Sequence, residues 1–435
     1  MADTEMNVPD GWKQVDLGSI ISIISDGGTP SRAVSRYFGG DIPWIVIDDI
    51  KDDIYETTEC LTEMGLSACS SNYWDEGTVI LSTGATIGVV GITRVKAATK
   101  QGICGIEFKN SIDNKYMMYL LKSMRKTFLA YSQGSTIREI RPTLIKKLEV
   151  QIPQSLTEQR QIARILSKVD EAISQTEQLI AKYRRLKTGL MQDLLTKGID
   201  KHGNIRREET HAFEVKDGFK YPVEWQLTTI EKSIESIQQG WSPNCDSDPA
   251  PTGEWGVLKT TAVTWNGYDG NENKRMPINL IPKRQYEVKN GDVLVTRAGP
   301  NSRVGVVSYV EHTRSRVIFS DKIYRVVPKN ILMNKYLAMA LSSEFTQRHL
   351  SNLKTGMAES QTNISHKIIL SLNIILPTTD EQEQIILTLD KAEASIKRIA
   401  DNIAKLQSLK TGLMQDLLSG KVRVGPLIPE TVEAC

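Results

Sequence analysis

The chain contains the sequence Leu186-Lys187-Thr188-Gly189-Leu190-Met191-Gln192-Asp193-Leu194-Leu195 and repeats it, letter for letter, as Leu409-Lys410-Thr411-Gly412-Leu413-Met414-Gln415-Asp416-Leu417-Leu418. The offset of 223 residues (409 − 186) also aligns Glu158-Gln159 with Glu381-Gln382, so the match runs without a gap to the start of each segment. Ten identical residues in register do not arise by chance. The 435-residue chain is therefore predicted to consist of two copies of one unit, each ending in this segment.

Apolar residues recur every three or four positions along both segments, which predicts two long helices with a coiled-coil seam. Thr157 and Asp380 are expected to cap the helix starts, and Gly198 and Gly420 to end the helices. The alternative is two unrelated amphipathic helices buried in a core, but identical length and register favour a shared geometric role. The predicted seam positions are Ile162, Leu166, Val169, Ile173, Ile180, Leu190, Leu194, Ile385, Leu389, Ile396, Ile399, Ile403, Leu406, Leu413 and Leu417.

The composition excludes several protein classes. The formal net charge is only +2, so there is no global nucleic-acid signature, although residues 1–80 carry net −11 and residues 81–150 carry net +8. A basic surface facing phosphate and an ordinary mixed, solvated surface both fit this distribution. Five cysteines without a CxxC pair indicate a reducing compartment. No apolar run approaches the ~18 residues of a membrane span, so the sequence predicts a soluble, cytoplasmic protein.

Short β-rich runs dominate residues 1–150. Strands are predicted at 43–47, 78–82 and 148–153, and helical spacing runs from Lys115 to Tyr131. Residues 198–220 are polar and are predicted to be a connector. The order then repeats with weaker identity: residues 76–83 are echoed by 290–297, and Lys115-Tyr116 by Lys335-Tyr336. The two globular copies are therefore predicted to share a scaffold and to differ in their loops, as expected for two recognition surfaces.

Catalytic signatures are missing from the sequence. It has no phosphate-binding GxxxxGK[ST] loop, no GxGxxG after a strand and no Asn-Pro-Pro or Asp-Pro-Pro tetrapeptide of an amino-methyltransferase. The five histidines are scattered without metal-ligand spacing. Glu107-Phe108-Lys109 is a carboxylate-x-lysine triplet of the kind that nucleases use, but such triplets are common by chance. A surface ion pair and a nuclease site are the two interpretations of this triplet.

The order of these features resembles the specificity subunit of type I restriction-modification systems. Each copy carries a proline, then Glu-Gln, then Ile at the helix start: Pro153, Glu158, Gln159 and Ile162, and, one spacer residue shorter, Pro377, Glu381, Gln382 and Ile385. The repeated decapeptides resemble the helix ends of this family. The Gly27-Gly28-Thr29-Pro30-Ser31 loop and the Pro43-Trp44-Ile45 strand resemble its first recognition domain, whereas the second copy departs there with Gln239-Gly240-Trp241-Ser242-Pro243.

The resemblance implies an α+β fold: two mixed α/β target-recognition domains joined by two long helices that form an antiparallel coiled coil, with an internal pseudo-twofold repeat. The expected boundaries are 1–153 and 199–376 for the two domains (the second with its connector), 154–198 and 377–422 for the helical spacers, and 423–435 for a tail. The helices would set the distance between the domains.

The resemblance also implies a non-catalytic subunit that reads double-stranded DNA, each domain recognising one half of a bipartite, asymmetric target. Two methyltransferase subunits would dock on the helices and bring S-adenosylmethionine. Two motor-nuclease subunits would bring ATP, magnesium, translocation and cleavage. No cofactor, metal site or catalytic residue is expected in this chain.

Loop residues that can pair with base edges or phosphates are the candidate DNA contacts. An ordinary surface role is the alternative for each. In the first domain they are Thr29, Ser31, Arg32, Thr83, Thr86, Lys100, Gln101, Gln133, Ser135, Thr136, Arg138 and Arg141. In the second they are Gln239, Ser242, Lys259, Thr260, Arg297, Asn301, Arg303, Lys322, Lys354, Gln361 and Asn363.

Two functions from other classes use the same sequence features. A coiled-coil adaptor with two protein-binding heads would share the helices but would not bind DNA. A nuclease built around Glu107 and Lys109 would cleave DNA alone in the presence of a metal. Binding of random duplex DNA, with and without a methyltransferase partner, separates the three functions.

Overall fold

A computed structural model describes residues 8–132, 138–354 and 362–424. The chain divides into two compact units, the first formed by residues 1–178 and 400–435 and the second by residues 179–399. Both divisions fall inside the long helices rather than at their ends. Each unit therefore holds one globular domain and parts of both helices.

The first unit is a mixed α/β domain. Its strands are β1 (Trp12–Asp16), β2 (Ile21–Asp26), β3 (Phe38–Ile45), β4 (Asp53–Ile54), β5 (Glu59–Leu61), β6 (Tyr73–Trp74), β7 (Val79–Ser82), β8 (Val90–Thr93), β9 (Ala97–Thr99), β10 (Ile103–Phe108) and β11 (Glu149–Pro153). Its helices are α1 (Leu17–Ile20), α2 (Glu63–Ser67), α3 (Asn114–Ser123), α4 (Arg125–Tyr131), α5 (Pro142–Ile145) and the first part of α6 (Leu156–Thr196).

Three sheets build the described part of this domain. A five-stranded sheet has the order β2-β10-β7-β8-β4, a four-stranded sheet has the order β5-β3-β9-β6, and β1 pairs with β11. The five-stranded sheet packs its apolar face against α3, and the same core includes Ile162 and Leu166 of α6 and Leu417. Because the long helices contribute to the domain core, the helical segment is part of the folded domain and not a detached spacer.

The second unit repeats this arrangement with additions. Its strands are β12 (Phe213–Lys216), β13 (Phe219–Pro222), β14 (Gln226–Thr229), β15 (Ile234–Gln239), β16 (Gly256–Leu258), β17 (Val263–Thr264), β18 (Gly267–Tyr268), β19 (Asn273–Arg275), β20 (Val293–Thr296), β21 (Ala298–Gly299), β22 (Val307–Tyr309), β23 (Val317–Ile318), β24 (Ile323–Pro328), β25 (Thr362–Asn363) and β26 (Asn373–Leu376). Its helices are α7 (Ile230–Ser233), α8 (Asn334–Ser342), α9 (Glu344–Leu353), α10 (His366–Ser371) and the first part of α11 (Thr379–Leu418).

The predicted internal repeat is confirmed by the strand order. The order β15-β24-β20-β22 reproduces β2-β10-β7-β8, the order β19-β16-β23 reproduces β5-β3-β9, and β14 pairs with β26 as β1 pairs with β11. Even the parallel pairing of β3 with β9 recurs in β16 with β23. The two domains therefore share one topology, and the α+β fold with two long helices is as predicted.

Some local predictions were wrong. The helical spacing from Lys115 to Tyr131 forms two helices, because the backbone at Met124 (φ −83°, ψ 5°) leaves the helical conformation between α3 and α4. The connector predicted at 198–220 includes the start of a hairpin on which the prediction was silent, since β12 and β13 pair. The strand predicted at 43–47 begins earlier and ends at Ile45.

The caps of the long helices lie before the predicted residues. Thr157 and Asp380 are already helical, and the cap contacts come from Ser155, whose hydroxyl accepts from the Glu158 N–H at 3.4 Å, and from Thr378, which does the same for Glu381. The C-terminal prediction is confirmed by the backbone, because Gly198 and Gly420 have φ of +66° and +69°. Only glycine adopts that left-handed conformation without strain.

The Glu-Gln motif attaches each helix to its domain. The Gln159 side chain accepts from the Asp113 N–H at 2.8 Å and donates to the Pro153 carbonyl at 3.0 Å. Gln382 makes the same two contacts with Met333, at 2.8 Å, and with Pro377, at 3.0 Å. The motif therefore fixes the start of the helix against the β-sheet domain.

Inside each unit the two helical segments run antiparallel. In the first, the Asp170 carboxylate on α6 lies 2.5 Å from the Lys410 ammonium on α11, while Glu158, earlier on α6, contacts Arg423, beyond the end of α11. In the second, Lys187 pairs with Glu393. The 223-residue offset relates Asp170 to Glu393 and Lys187 to Lys410, so the two ion pairs are equivalent. The acidic residue lies on α6 in the first unit and on α11 in the second.

All of the predicted seam residues are buried or half-buried. None of the helices in the described ranges has the length and apolar character required to cross a membrane.

Candidate nucleic-acid interface

Four loops of the first domain meet at one end of its five-stranded sheet. Gly28 donates its N–H to the Thr99 carbonyl at 3.0 Å, Thr83 donates to Gly102 at 2.8 Å, and Ile140 donates to Thr83 at 2.9 Å. These bonds join loops that are distant in sequence into one surface. We call residues 27–34, 83–88, 99–102 and 138–141 the first loop face.

The second domain builds the same frame from different residues. Trp241 donates its N–H to the Phe319 carbonyl at 3.1 Å, Arg297 donates to Lys322 at 2.8 Å, and Ile364 donates to Arg297 at 2.9 Å. Each bond has its counterpart in the first domain, so Arg297 occupies the position of Thr83. We call residues 239–243, 297–303, 319–322 and 362–366 the second loop face.

A glycine is required at the start of each face. A Cβ atom on Gly27 would lie within 3.0 Å of the carbonyl oxygens of Thr99 and Lys100, and one on Gly240 would meet the oxygens of Phe319 and Ser320 equally closely. Each glycine directly follows a strand, β2 or β15, and neither strand was predicted from the sequence, so the steric role of the two glycines was not foreseen.

The candidates in the first domain fall into three groups. Lys100 is half-buried with its ammonium 5.8 Å from the Trp44 ring, and Thr83 is buried at 1% exposure, so its side chain cannot reach a ligand directly. Gln133, Ser135 and Thr136 lie outside the described residues. The exposed candidates are Thr29, Ser31, Arg32, Thr86, Gln101, Arg138 and Arg141.

Arg32 is exposed but already occupied. Its guanidinium makes two hydrogen bonds to Glu59, at 2.5 and 2.9 Å, and lies over the Phe38 and Trp44 rings. The hydrogen bond from Arg32 lowers the pKa of the Glu59 carboxyl below its ordinary value. A DNA contact by Arg32 would therefore require this pair to open or to bind as a unit.

The candidates in the second domain are more tightly packed. Arg303 donates to the Thr260 carbonyl at 2.7 Å, which ties Thr260 and the adjacent Lys259 to the second loop face. Lys354 donates to the Asn301 carbonyl at 3.2 Å, and burial lowers the pKa of its ammonium. The exposed candidates are Ser242, Asn301, Lys322 and Asn363. The half-buried candidates are Gln239, Lys259, Thr260, Arg297, Arg303 and Lys354. Gln361 lies outside the described residues.

Tyr324 and His366 were not predicted; His366 belongs to the second loop face, and Tyr324 is buried beneath it on β24. Their rings are 4.4 Å apart, and the Arg297 guanidinium lies 5.4 Å from the Tyr324 ring. Burial, followed by the charge of Arg297, lowers the pKa of the His366 imidazole, which favours its neutral form. No sequence signal marks this cluster, because its residues come from three separate segments.

Glu107 and Lys109 lie at the end of β10 that is opposite the first loop face. Glu107 is half-buried on β10, opposite Ile23 of β2, and Lys109 follows the end of the strand. Among the described residues, no group of three or more His, Cys, Asp or Glu side chains is arranged to hold a metal ion.

Comparison with known proteins identifies the family. The model of the type I restriction modification DNA specificity domain matches residues 9–183 and 251–408, which together are more than half of the chain. The EcoEI type I restriction enzyme specificity subunit of Escherichia coli is 41% identical over 194 residues, 44% of this chain and 33% of that subunit. The MjaVIII specificity subunit of Methanocaldococcus jannaschii is 24% identical over 430 residues, 96% of this chain and 95% of that subunit.

Solved structures share the fold. The S subunit of a type I restriction-modification system from M. genitalium matches with a TM-score of 0.52 at 14% identity, covering 96% of this chain and 98% of that one. A chain from a structural study of assembly and conformational transition of the type I R-M system matches with a TM-score of 0.61 at 18% identity, covering 96% of this chain and all of that one. The chain, with its two matched domains and its repeated helices, therefore belongs to the type I restriction-modification specificity subunits.

Proposed function

We propose that this chain is the non-catalytic DNA-reading subunit of a type I restriction-modification complex, and that each loop face reads one half of a bipartite, asymmetric target. The observation that carries the proposal is that the two loop faces share the same backbone hydrogen bonds but differ in their side chains. The same backbone hydrogen bonds hold Thr83 in the first face and Arg297 in the second, and Gln101 and Asp321 likewise occupy one position. A shared scaffold with different side chains suits two readers of different sequences.

The residues of the loop faces fall into two groups, one suited to phosphate contacts and one suited to contacts with base edges. Long, exposed cationic side chains, such as Arg138, Arg141 and Lys322, suit phosphate contacts, which orient a protein on duplex DNA without reading its sequence. Side chains held inside the faces suit contacts to base edges, because their direction is fixed by neighbouring loops. A subunit that reads chromosomal DNA would work with the chromosome in the cytoplasm.

Docking of two methyltransferase subunits is supported by the repeated decapeptide. The seam accounts for Leu190 and Leu194 and their copies, but the identity extends to residues that face solvent. Leu186 is 57% exposed and Leu409 51%, and a Cβ on Gly189 or Gly412 would meet no atom of the described residues within 4 Å apart from the backbone of its own helix. Two identical exposed surfaces suit two copies of one partner, and exposed leucines favour association with an apolar surface.

The remaining parts of the proposal follow from membership of the family. Two motor-nuclease subunits would complete the complex, with S-adenosylmethionine used by the methyltransferases and ATP and magnesium by the motor-nucleases. The long helices would set the distance between the two readers. The adaptor alternative keeps the helices and the docking surfaces but predicts no sequence-specific methylation.

The test is reconstitution with the methyltransferase subunits of the same restriction-modification system, followed by genome-wide mapping of methylated sites. We expect one split motif. Replacing residues 1–150 with those of a relative of different specificity should change one half of that motif and leave the other half and the spacer unchanged. A change in both halves would contradict independent reading, and a complex that forms without directing methylation to any motif would support the adaptor.

The proposed docking surface for the methyltransferase subunits, the exposed face of each decapeptide, can be tested with a matched control. Leu186→Asp with Leu409→Asp should abolish methyltransferase binding in a pull-down, whereas Gln178→Asp, at an exposed position on the same helix, should not. Loss of binding with both sets of changes would point to a general failure of the helices.

A further inference from the structure

Arg297 is held in one position by the backbone on both sides. Its N–H donates to Lys322 at 2.8 Å and its carbonyl accepts from Ile364 at 2.9 Å, so the segments before β24 and after β25 fix the Cα atom. The matching residue of the first face is Thr83, a small side chain with 1% exposure that contacts Asp26 and Cys104. The second domain therefore has a long cationic side chain at the position where the first domain has a small, buried threonine.

The Arg297 side chain lies on a rigid platform. Tyr324 beneath it is buried, pairs with Val295 across the sheet and donates its hydroxyl to the Ile364 carbonyl at 3.4 Å. On one side, Arg297 Nη1 donates to the Asp321 carbonyl at 3.3 Å. A guanidinium stacked on a fixed ring has a defined plane, and a defined plane is what two parallel hydrogen bonds to a base edge require.

This cluster also has unused hydrogen-bonding capacity. The Nε atoms of Arg297 and Arg303 and the Nε2 atom of His366 are buried and have no partner within the described ranges. They are three of the four such side-chain atoms that the described part of the second unit contains. Buried polar groups are rarely left without a partner, and each one that is costs stability. A concentration of unpaired polar nitrogens at one loop face indicates that a ligand with hydrogen-bonding groups supplies the partners.

We propose that Arg297 is a specificity-determining residue that reads a guanine in the half-site of the second domain, an inference that rests on the proposed function. Guanine presents two acceptors, O6 and N7, on its major-groove edge, and the forked guanidinium matches both. The exposed Lys322, on the neighbouring turn, is a point charge without this geometry and suits a phosphate. Arg297 therefore selects the base and Lys322 positions the strand.

The test uses the complete methyltransferase complex and the motif mapped for the wild-type chain. Each guanine of the second half-site is replaced in turn by 7-deazaguanine, which lacks the N7 acceptor. One replacement should lower the methylation rate about 2- to 10-fold with the wild-type chain, because it removes one of the two hydrogen bonds of a pair worth about 1–3 kcal/mol, and it should have little further effect with Arg297→Ala. Arg297→Lys keeps the charge and should still lose discrimination at that base pair, because it lacks the fork.

Three controls keep the outcomes separate. Arg348→Ala, on α9 and outside both loop faces, should leave the motif unchanged. The first half of the motif should stay strict with the Arg297 variants, which shows that the complex is intact. If Arg297→Ala is inactive, Arg297→Lys takes its place in the comparison, and a wild-type chain without any 7-deazaguanine effect still overturns the assignment.

Two results would overturn the assignment while leaving the proposed function standing. In one, the Arg297 variants methylate the same motif more weakly and with a shallower salt dependence, as expected of a phosphate contact. In the other, no guanine of the second half-site is sensitive to 7-deaza replacement. A wild-type complex that methylates no split motif would instead contradict the proposed function itself.

Discussion

Arg423 and Glu158 are 265 residues apart in sequence and joined by two hydrogen bonds of 2.7 and 2.9 Å. Arg206 and Glu381 repeat the pair in the second unit, where Glu381 also accepts from the Trp225 indole and the Ile199 N–H, both at 2.8 Å. In each unit the arginine lies on the segment that leaves one long helix, and the glutamate lies at the start of the other. The pair therefore closes the antiparallel arrangement at its domain end.

Removing Arg206 should destabilise the second unit. The Arg206 and Glu381 side chains are 9% and 11% exposed, so Arg206→Ala leaves a largely buried carboxylate without its counter-charge, at a cost of about 3 kcal/mol. Urea unfolding followed by tryptophan fluorescence measures the loss, since Trp225 contacts the same carboxylate. Arg207→Ala, at the exposed neighbouring position, should cost less than about 0.5 kcal/mol. Equal effects would mean that the pair contributes nothing specific.

The seam can be tested at a pair of repeat-related residues. Ile396 is 6% exposed and its counterpart Ile173 is half-buried. Ile396→Asp should therefore cost several kcal/mol, because a charge without a partner enters an apolar contact, and Ile173→Asp should cost less. Thermal unfolding of the two variants beside Gln178→Asp, an exposed control, gives the order. A result in which Gln178→Asp is as harmful as Ile396→Asp would show that the seam is misassigned.

The long helices were predictable because their signals are local and repeated. The 3.5-residue periodicity and the ten identical residues are visible in the sequence, and Gly198 and Gly420 mark the ends. The contacts that close each unit were not predictable: nothing near Glu381 in the sequence points to Arg206, which lies 175 residues away. The break at Met124 was missed for another reason, since neither glycine nor proline marks it.

The loop faces were predictable in place but not in detail. Polar loops following strands indicated the candidates, yet exposure alone separates Gln101 from the buried Thr83, and exposure depends on the packed sheet. Tyr324 lies on a strand beneath the second loop face and His366 lies at the start of a helix, so a search of loops could not find them. Sequence patterns locate a recognition surface more readily than the side chains that face a ligand.

The close approach at Gly27 predicts a steric effect. Gly27→Ala places a methyl group against the Thr99 and Lys100 carbonyls, which cannot move without losing the Gly28–Thr99 hydrogen bond. We expect a loss of about 2 kcal/mol in the free energy of unfolding and displacement of the first loop face. Gly84→Ala is the matched control on the same face, because its nearest contact would be an ordinary 3.5 Å. If Gly27→Ala proves as stable as Gly84→Ala, the loop has room that the structure does not indicate.

Asp53 predicts a pH dependence for the first unit. Burial acts to raise the pKa of its carboxyl, but hydrogen bonds from Lys115 and Arg94 outweigh it, so the pKa lies below its ordinary value. A carboxyl with a lowered folded-state pKa stabilises the fold above its unfolded pKa of about 4, and this stabilisation is lost as the pH falls through the folded value. Asp53→Asn should therefore lower stability at pH 7, and its difference from wild type should shrink toward pH 3. Asp41→Asn, at an exposed position, should show a much smaller difference at either pH.

The helix length predicts the spacer of the target. Residues Lys182 and Lys405 are exposed and related by the repeat offset, so one heptad inserted after each lengthens both helices by the same amount and keeps the seam in register. Seven residues add about 10 Å, equivalent to about three base pairs of duplex rise. The preferred spacer should lengthen by up to that amount, limited by the duplex twist of about 34° per base pair, while both half-site sequences stay the same. Genome-wide mapping of methylated motifs measures both quantities in one experiment.

A single insertion after Lys182 is the control, because its seven extra residues have no partner on the other helix; it should weaken assembly of the complex without defining a new spacer. An active double-insertion variant that keeps the original spacer would show that the helices do not set the distance between the two half-sites.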